Sequence, residues 1–173
     1  MAISIEKRAA LVLFSAVGIR HGMRLEATAS VIDGEFLKFA FTLECGLDGL
    51  VVPPPCPKRR ADRLWEHTCF EAFIRADGET SYFEFNFSPS GEWAVYWFRG
   101  YRDGGILDEE LSPEIVVRRE ADKIELEAVI RLDRLSALRP GSLLRIGLSA
   151  VIEDSDGQLS YWALKHPADK PDF

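Results

Sequence analysis

Alternation of phenylalanines with polar residues near the middle of the chain constrains the fold more than any other feature. Phe83, Phe85 and Phe87 occupy every second position. Successive side chains of a β-strand point to opposite faces, so this spacing predicts a strand whose phenylalanines face the core. The other face of that strand would carry Tyr82, Glu84, Asn86 and Ser88.

The stretch from Trp65 to Ile74 predicts a second strand with the same division between two faces. Its apolar side consists of Phe70, Ala72 and Ile74, and its other side of Trp65, His67, Cys69, Glu71 and Phe73. An Asp77-Gly78 pair and a Pro/Gly segment at 88–91 predict tight turns around the phenylalanine strand, with a third strand reaching Phe98.

The polar face of the first two strands has two interpretations. Antiparallel sheets often keep one face in water, which would make these residues an ordinary solvated surface. Two carboxylates, an amide and an indole on adjacent strands instead favour a ligand-binding face, because cross-strand neighbours lie close together. The candidate ligand-binding residues are Trp65, His67, Glu71, Tyr82, Glu84 and Asn86.

The rest of the chain also reads as short strands and turns. Alternating runs at 23–32 and 36–43 flank Asp33-Gly34, and runs at 115–119 and 123–132 suggest another hairpin. Further strands are predicted at 143–152 and 159–164, a proline-rich loop at 46–61, a polar connection at 99–112 and one helical turn at 133–138. The pattern predicts an all-β, antiparallel two-sheet β-sandwich in a single domain of 173 residues, 1–173.

Composition excludes some classes of function. A net charge of −7, without a basic stripe, argues against a nucleic-acid surface. The three cysteines lack the spacing of a metal site, so we expect free thiols and no metal. No other cofactor is expected.

The N-terminal residues allow two interpretations. Lys7-Arg8 and the apolar run 9–19 resemble a signal peptide, which would occupy about residues 1–22. Glu6 lies in the region that should be positive, and no small-x-small site follows at the usual distance. We therefore favour a structured N-terminal strand in a cytoplasmic protein, and the run is too short to span a bilayer.

Three segments carry a resemblance to known proteins. They read LWEHTCFEAFI, FEFNFSPSGEW and SYWALKHP in chain order. The sequence from about residue 24 to 162 resembles the family 9 carbohydrate-binding modules and the wider DOMON-like group, above all its bacterial stand-alone members. Those proteins carry a tryptophan six residues before a glutamate, followed by an aromatic-polar-apolar-asparagine strand.

The resemblance implies a jelly-roll or immunoglobulin-like sandwich and specific roles for three residues. Trp65 would stack on a pyranose ring, Glu71 would accept sugar hydroxyls, and Asn86 would hydrogen-bond the ligand. The chain departs from the family pattern at Glu84, where the family has arginine, and at Thr68, where an acidic residue is usual. No second stacking tryptophan is evident, because Trp162 falls within a strand.

The sequence favours a non-catalytic module that binds a small polar ligand, with a saccharide as the leading candidate and no membrane partner. Haem binding, known among DOMON relatives, is an alternative for which His67 is the best axial ligand. Met23 and His21, the other potential axial ligands, lie only two positions apart and could not reach opposite sides of one iron. A protein-interaction module is a second alternative, using the aromatic cluster Trp93, Tyr96, Trp97 and Phe98.

Hydrolysis is a third alternative. Glu71 and Glu84 on neighbouring strands could imitate an acid/base pair. Acidic pairs are commoner on binding faces than at catalytic centres, so no catalytic residue is assigned. The sequence does not predict an oligomeric state.

Overall fold

Two antiparallel sheets pack face to face in a computed structural model that describes residues 5–13, 22–106, 111–135, 138 and 141–166. The predicted all-β sandwich is confirmed. The described strands are β1 Ile5–Ala10, β2 Val12–Leu13, β3 Arg24–Ile32, β4 Phe36–Glu44, β5 Cys69–Ala76, β6 Tyr82–Phe87, β7 Trp93–Gly100, β8 Asp103–Ile106, β9 Glu114–Arg119, β10 Lys123–Arg131, β11 Leu144–Glu153 and β12 Leu159–Ala163.

One sheet has five strands in the order β1-β3-β4-β10-β9, and the other has seven in the order β2-β12-β11-β5-β6-β7-β8. The β3–β4 hairpin turns at Asp33 and Gly34, whose φ angles of 51° and 73° suit the tight turn that these residues favour. No helix among the described residues is long and apolar enough to cross a membrane.

The core lies between the sheets and is rich in phenylalanine. Phe83, Phe85 and Phe87 are almost completely buried, as their alternation predicted. Ring contacts join the two sheets: Phe41 of β4 stacks on Phe70 of β5, with centroids 5.1 Å apart. The outward-facing side chains of the seven-stranded sheet are thereby held on a packed base.

Strand β5 begins four residues later than predicted. Residues Leu64–Glu66 form a 3₁₀ turn, and Arg63 before them has a left-handed φ of 62°. The Thr68 hydroxyl donates a 2.6 Å hydrogen bond to the Val51 carbonyl and accepts a 3.1 Å bond from the Glu153 N–H. These contacts fix the start of the strand, so Trp65 is not placed by the alternation of β5.

Two smaller expectations need correction, and a third, the N-terminal strand, lies partly outside the described residues. The predicted polar connection at 99–112 contains the edge strand β8, whose glycines have low strand propensity. Glycine is required at 104, because a Cβ there would lie 2.2 Å from the Trp97 carbonyl oxygen. The predicted helical turn lies at Leu132–Arg134, without a side-chain cap. The N-terminal strand begins at Ile5, and residues 14–21 of the predicted segment lie outside the described residues.

Candidate functional site

The outer face of the seven-stranded sheet contains a cavity of about 620 Å³, which we call the belt cavity. Strands β5, β6 and β7 form its floor, and two turns and β12 contribute to its walls. Its lining comprises Trp65, Glu66, Glu71, Phe73, Tyr82, Glu84, Tyr96, Phe98, Tyr101, Arg102, Val151, Leu159 and Tyr161.

Strand register brings the two predicted carboxylates together. Glu71 of β5 lies opposite Asn86 of β6, and Glu84 lies two residues before Asn86. The carboxylates are therefore diagonal neighbours on one face of the sheet. Both line the belt cavity.

Glu71 is a buried carboxyl group with 4% exposure. The Ser149 hydroxyl on β11 donates a 2.6 Å hydrogen bond to its Oε2. Burial raises the pKa of Glu71 to about 7, and the nearby charge of Glu84 adds to the rise, while the Ser149 bond opposes it. Loss of hydration is the larger cause of the raised pKa, and repulsion between the two carboxylates is the smaller one.

Glu84 is held by Asn86, whose side-chain amide donates a 3.0 Å hydrogen bond to Oε1. Burial raises the pKa of Glu84, whereas the Asn86 bond and the charge of Arg102 lower it. Asn86 itself is fully buried and is not part of the cavity lining. Asn86 therefore positions Glu84, and its direct contact with a ligand stays a prediction.

His67 lies outside the cavity lining. Its exposed ring places Nδ1 2.7 Å from Glu153 Oε2. Alternation along the predicted strand had placed His67 on the same face as Glu71. His67 instead precedes the strand, and its side chain lies toward β11. Met23, the methionine weighed as a haem ligand, packs against the core from the start of the other sheet, and His21 is outside the described residues.

A continuous series of ring contacts, here called the aromatic belt, borders the carboxylates. The belt consists of Trp65, Tyr96, Phe98, Tyr82 and Phe73. Trp65 meets Tyr96 edge-on at 5.5 Å between centroids, and Tyr82 stacks on Phe98 at 4.8 Å. Because neighbouring rings hold one another, the belt presents preformed apolar surface to a ligand.

Trp65 and Tyr82 occupy different places in the belt. The Trp65 side chain lies at the rim with 38% exposure, and Tyr82 lies on the sheet itself at the start of β6. Of the six candidate residues, Trp65, Glu71, Tyr82 and Glu84 thus share the belt cavity.

The turn between β7 and β8 adds two cavity residues that alternation did not predict. Arg102 has a positive φ of 56°, and its guanidinium carbon lies 5.3 Å from the centroid of the Tyr101 ring. Tyr161 enters from β12, whose pairing with β11 sets Tyr161 opposite Val151. Turn conformation and long-range strand pairing, which local patterns do not encode, place these side chains.

The aromatic cluster of β7 does not form one exposed patch. Trp93 belongs to the core between the sheets, and Trp97 packs against it. Tyr96 and Phe98 face the belt cavity. Their spacing of two residues is the signal that could have assigned them to the site.

The Tyr96 hydroxyl is fixed at the edge of the cavity. It donates a 3.2 Å hydrogen bond to Asp62 Oδ1. Burial, with the Asp62 charge adding to it, raises the pKa of Tyr96 to about 12. The phenol is therefore neutral, and one of its polar contacts is already made.

The described residues contain no group of three or more histidine, cysteine, aspartate or glutamate side chains arranged to hold a metal ion. Cys45, Cys56 and Cys69 carry free thiols. Burial and the neighbouring Glu71 charge hold the pKa of the Cys69 thiol well above its usual value. The side chains that line the belt cavity offer hydrogen bonding, charge and aromatic stacking.

Known structures share the fold of this protein, although the sequence matches no family profile and no curated protein. A candidate carbohydrate-binding protein from Bacteroides uniformis superimposes with a TM-score of 0.68 and 14% identity, over 96% of this chain and 81% of that one. A family 9 carbohydrate-binding module from Caldicellulosiruptor kristjanssonii, solved in complex with cellotriose, superimposes with a TM-score of 0.59 and 10% identity. The superposition covers 89% of this chain and 71% of that one. The fold is that of the family 9 modules; membership of the DOMON group remains a prediction.

Proposed function

We propose that this protein binds a saccharide in the belt cavity, without transforming it. The observation that carries the proposal is the aromatic belt beside the buried carboxylate of Glu71 and the half-buried carboxylate of Glu84. The cavity volume of about 620 Å³ is in the range of small-ligand sites. The cellotriose bound by the family 9 neighbour supports a saccharide as the ligand class.

The two kinds of side chain would bind two sides of a sugar. The C–H face of a pyranose ring is apolar and packs on aromatic rings. Trp65 is the most exposed ring of the aromatic belt, because rings such as Phe73 and Tyr82 partly cover each other. Sugar hydroxyls would donate to the carboxylates, since charge-assisted hydrogen bonds are stronger than neutral ones. Asn86 and Ser149 hold those carboxylates in place before the ligand arrives.

A glycan array, followed by titration calorimetry of the positive saccharides, tests the proposal. Replacing Trp65 with alanine should weaken binding at least about 10-fold. The reason is that burying the indole against a sugar ring contributes more than about 1.4 kcal/mol to the binding free energy. Stability should change little: the Trp65–Tyr96 contact contributes about 0.5–1.5 kcal/mol. Val116→Ala, an exposed apolar truncation on the five-stranded sheet, is the matched control and should bind normally.

Two results would refute saccharide binding at this cavity. One is an array without any binder for the intact protein. The other is binding that survives Trp65→Ala but is lost in Val116→Ala, which would move the site to the opposite sheet.

A further inference from the structure

We infer that the saccharide is an amino sugar whose positively charged amino group contacts Glu71 and Glu84. This inference rests on the proposed function and specifies the ligand class. It comes from the charges that line the belt cavity and from the hydrogen-bond capacity that its carboxylates retain.

Among the described residues, three carboxylates and one guanidinium line the cavity. Glu66 at the rim forms an ion pair with Arg63. Glu71 and Glu84 form no ion pair at contact distance within the described residues; Arg102 acts on Glu84 as a nearby charge. The negative charge of Glu71 and Glu84 therefore exceeds the positive charge that Arg102 brings to the cavity.

In the described part of the chain, each floor carboxylate has one hydrogen-bond donor, and in both cases that donor is neutral. Ser149 bonds Oε2 of Glu71, and Asn86 bonds Oε1 of Glu84. Within the described residues, the second oxygen of each carboxylate has no hydrogen-bond partner. An ammonium group has three donors and a positive charge, so one group could bond both free oxygens.

Burial makes a cationic ligand more favourable than a neutral one. A carboxylate removed from water is costly unless it is paired with charge, and the raised pKa values of Glu71 and Glu84 express that cost. A neutral hydroxyl would leave most of the cost in place. An ammonium group would offset it and would hold both groups in their ionised form.

The aromatic belt favours the same charge. Ring faces attract cations, an effect that grows when the cation is desolvated. Tyr82, Tyr96 and Phe98 are in ring contact with one another and line the same cavity as the carboxylates. An amino sugar would use these rings for both its apolar ring face and its charge, whereas an acidic sugar would be repelled by the floor.

Arg102 provides a test of whether the ligand group that contacts the carboxylates is positively charged. Its charge acts on Glu84, and it lies on an exposed turn rather than on the sheet. A ligand ammonium would meet repulsion from this guanidinium. Removing the Arg102 charge should therefore strengthen binding of an amino sugar and leave binding of a neutral sugar nearly unchanged.

Titration calorimetry with three β-1,4-linked trisaccharides tests the inference at pH 6, where the amines are charged and where Glu71, whose pKa is about 7, must lose its proton when the ammonium group binds. The trisaccharides of glucosamine, N-acetylglucosamine and glucose differ only in the substituent at carbon 2. We expect the glucosamine form to bind at least about tenfold more tightly than the other two. Glu84→Gln should abolish that preference, and Arg102→Gln should increase it; Glu35→Gln, an equal charge change on an exposed turn, should leave it unchanged.

The outcomes separate the inference from the proposed function. Equal or tighter binding of a neutral trisaccharide overturns the inference and leaves saccharide binding intact. Absence of binding by all three trisaccharides overturns the inference, whereas a glycan array without any binder overturns the proposed function as well. If Glu84→Gln does not fold, as judged by circular dichroism, the intact protein decides: the preference must fall steeply with added salt, and a salt-independent preference overturns the inference.

Discussion

The two sheets present outer faces of opposite character, although both are polar in sequence. The five-stranded sheet carries charges that are half exposed and paired, such as Lys38 with Glu127 at 3.0 Å. The seven-stranded sheet carries Glu71, which is buried and bonded to a neutral hydroxyl. The first arrangement keeps a surface hydrated; the second costs folding free energy, which a ligand could offset.

Cavity size does not distinguish the faces. A depression of about 460 Å³ lies on the five-stranded sheet, against about 620 Å³ for the belt cavity. The smaller depression is lined mainly by charged and small polar side chains, including Thr28, Thr42 and Arg118. The aromatic belt and the burial of carboxylates identify the candidate site, whereas concavity alone would not.

The largest expected effect concerns the core that both faces share. Phe85→Ala should lower the free energy of unfolding by about 3–5 kcal/mol, because Phe85 is fully buried between the sheets. Urea unfolding measures it, with exposed Val116→Ala as the comparison. A loss below about 1 kcal/mol would mean that the two faces do not depend on a common packed base.

The next effect is a pH dependence confined to the cavity face. The pKa of Glu71 is about 7 in the folded protein against 4.5 ordinarily, so folding favours its protonated form. Its contribution to stability is greatest below pH 4.5 and is lost as pH rises through 7, by about 3 kcal/mol. Glu71→Gln should remove this loss, which urea unfolding at pH 5 and pH 8 would measure.

Glu125→Gln on the five-stranded sheet is the control for that experiment. Glu125 is a surface partner of Lys123 at 3.1 Å, and its replacement should change stability by less than about 0.5 kcal/mol at either pH. An equal pH dependence in the Glu71→Gln variant and the intact protein would contradict the difference between the faces.

The smallest effect is the coupling of Lys38 and Glu127. A double-mutant cycle with Lys38→Met and Glu127→Gln should give about 0.2–1 kcal/mol, as for other exposed ion pairs. Thermal or urea unfolding of the four proteins provides the value. A coupling of several kcal/mol would show that charge on this face is also shielded from water.

The sequence predicted the parts of the site that depend on alternation within a strand. Parity placed Glu71 on a common face with Glu84, and the register of β5 with β6 brings both to the belt cavity. Parity also placed Phe85 and its neighbours in the core. These positions follow from local geometry, because a strand reverses its side chains at every residue.

Side chains positioned by turns or distant contacts were harder to predict. Trp65 reaches the cavity through a 3₁₀ turn, and Arg102 through a residue with positive φ that is not glycine. His67 contacts Glu153, 86 residues away, instead of joining the cavity lining. Such placements depend on tertiary packing, which overrides the alternation extrapolated from a neighbouring strand.

The indole resonances of the four tryptophans give the most direct test of a ligand site on the seven-stranded sheet. Trp65 lies at the cavity rim, whereas Trp93 and Trp162 are buried and Trp97 packs against the core. In a ¹⁵N–¹H NMR titration with the saccharide that binds most tightly, the Trp65 indole signal, assigned by its loss in Trp65→Phe, should move with ligand concentration while the other three stay in place. A saturable titration that leaves the Trp65 signal unmoved would contradict binding in the belt cavity.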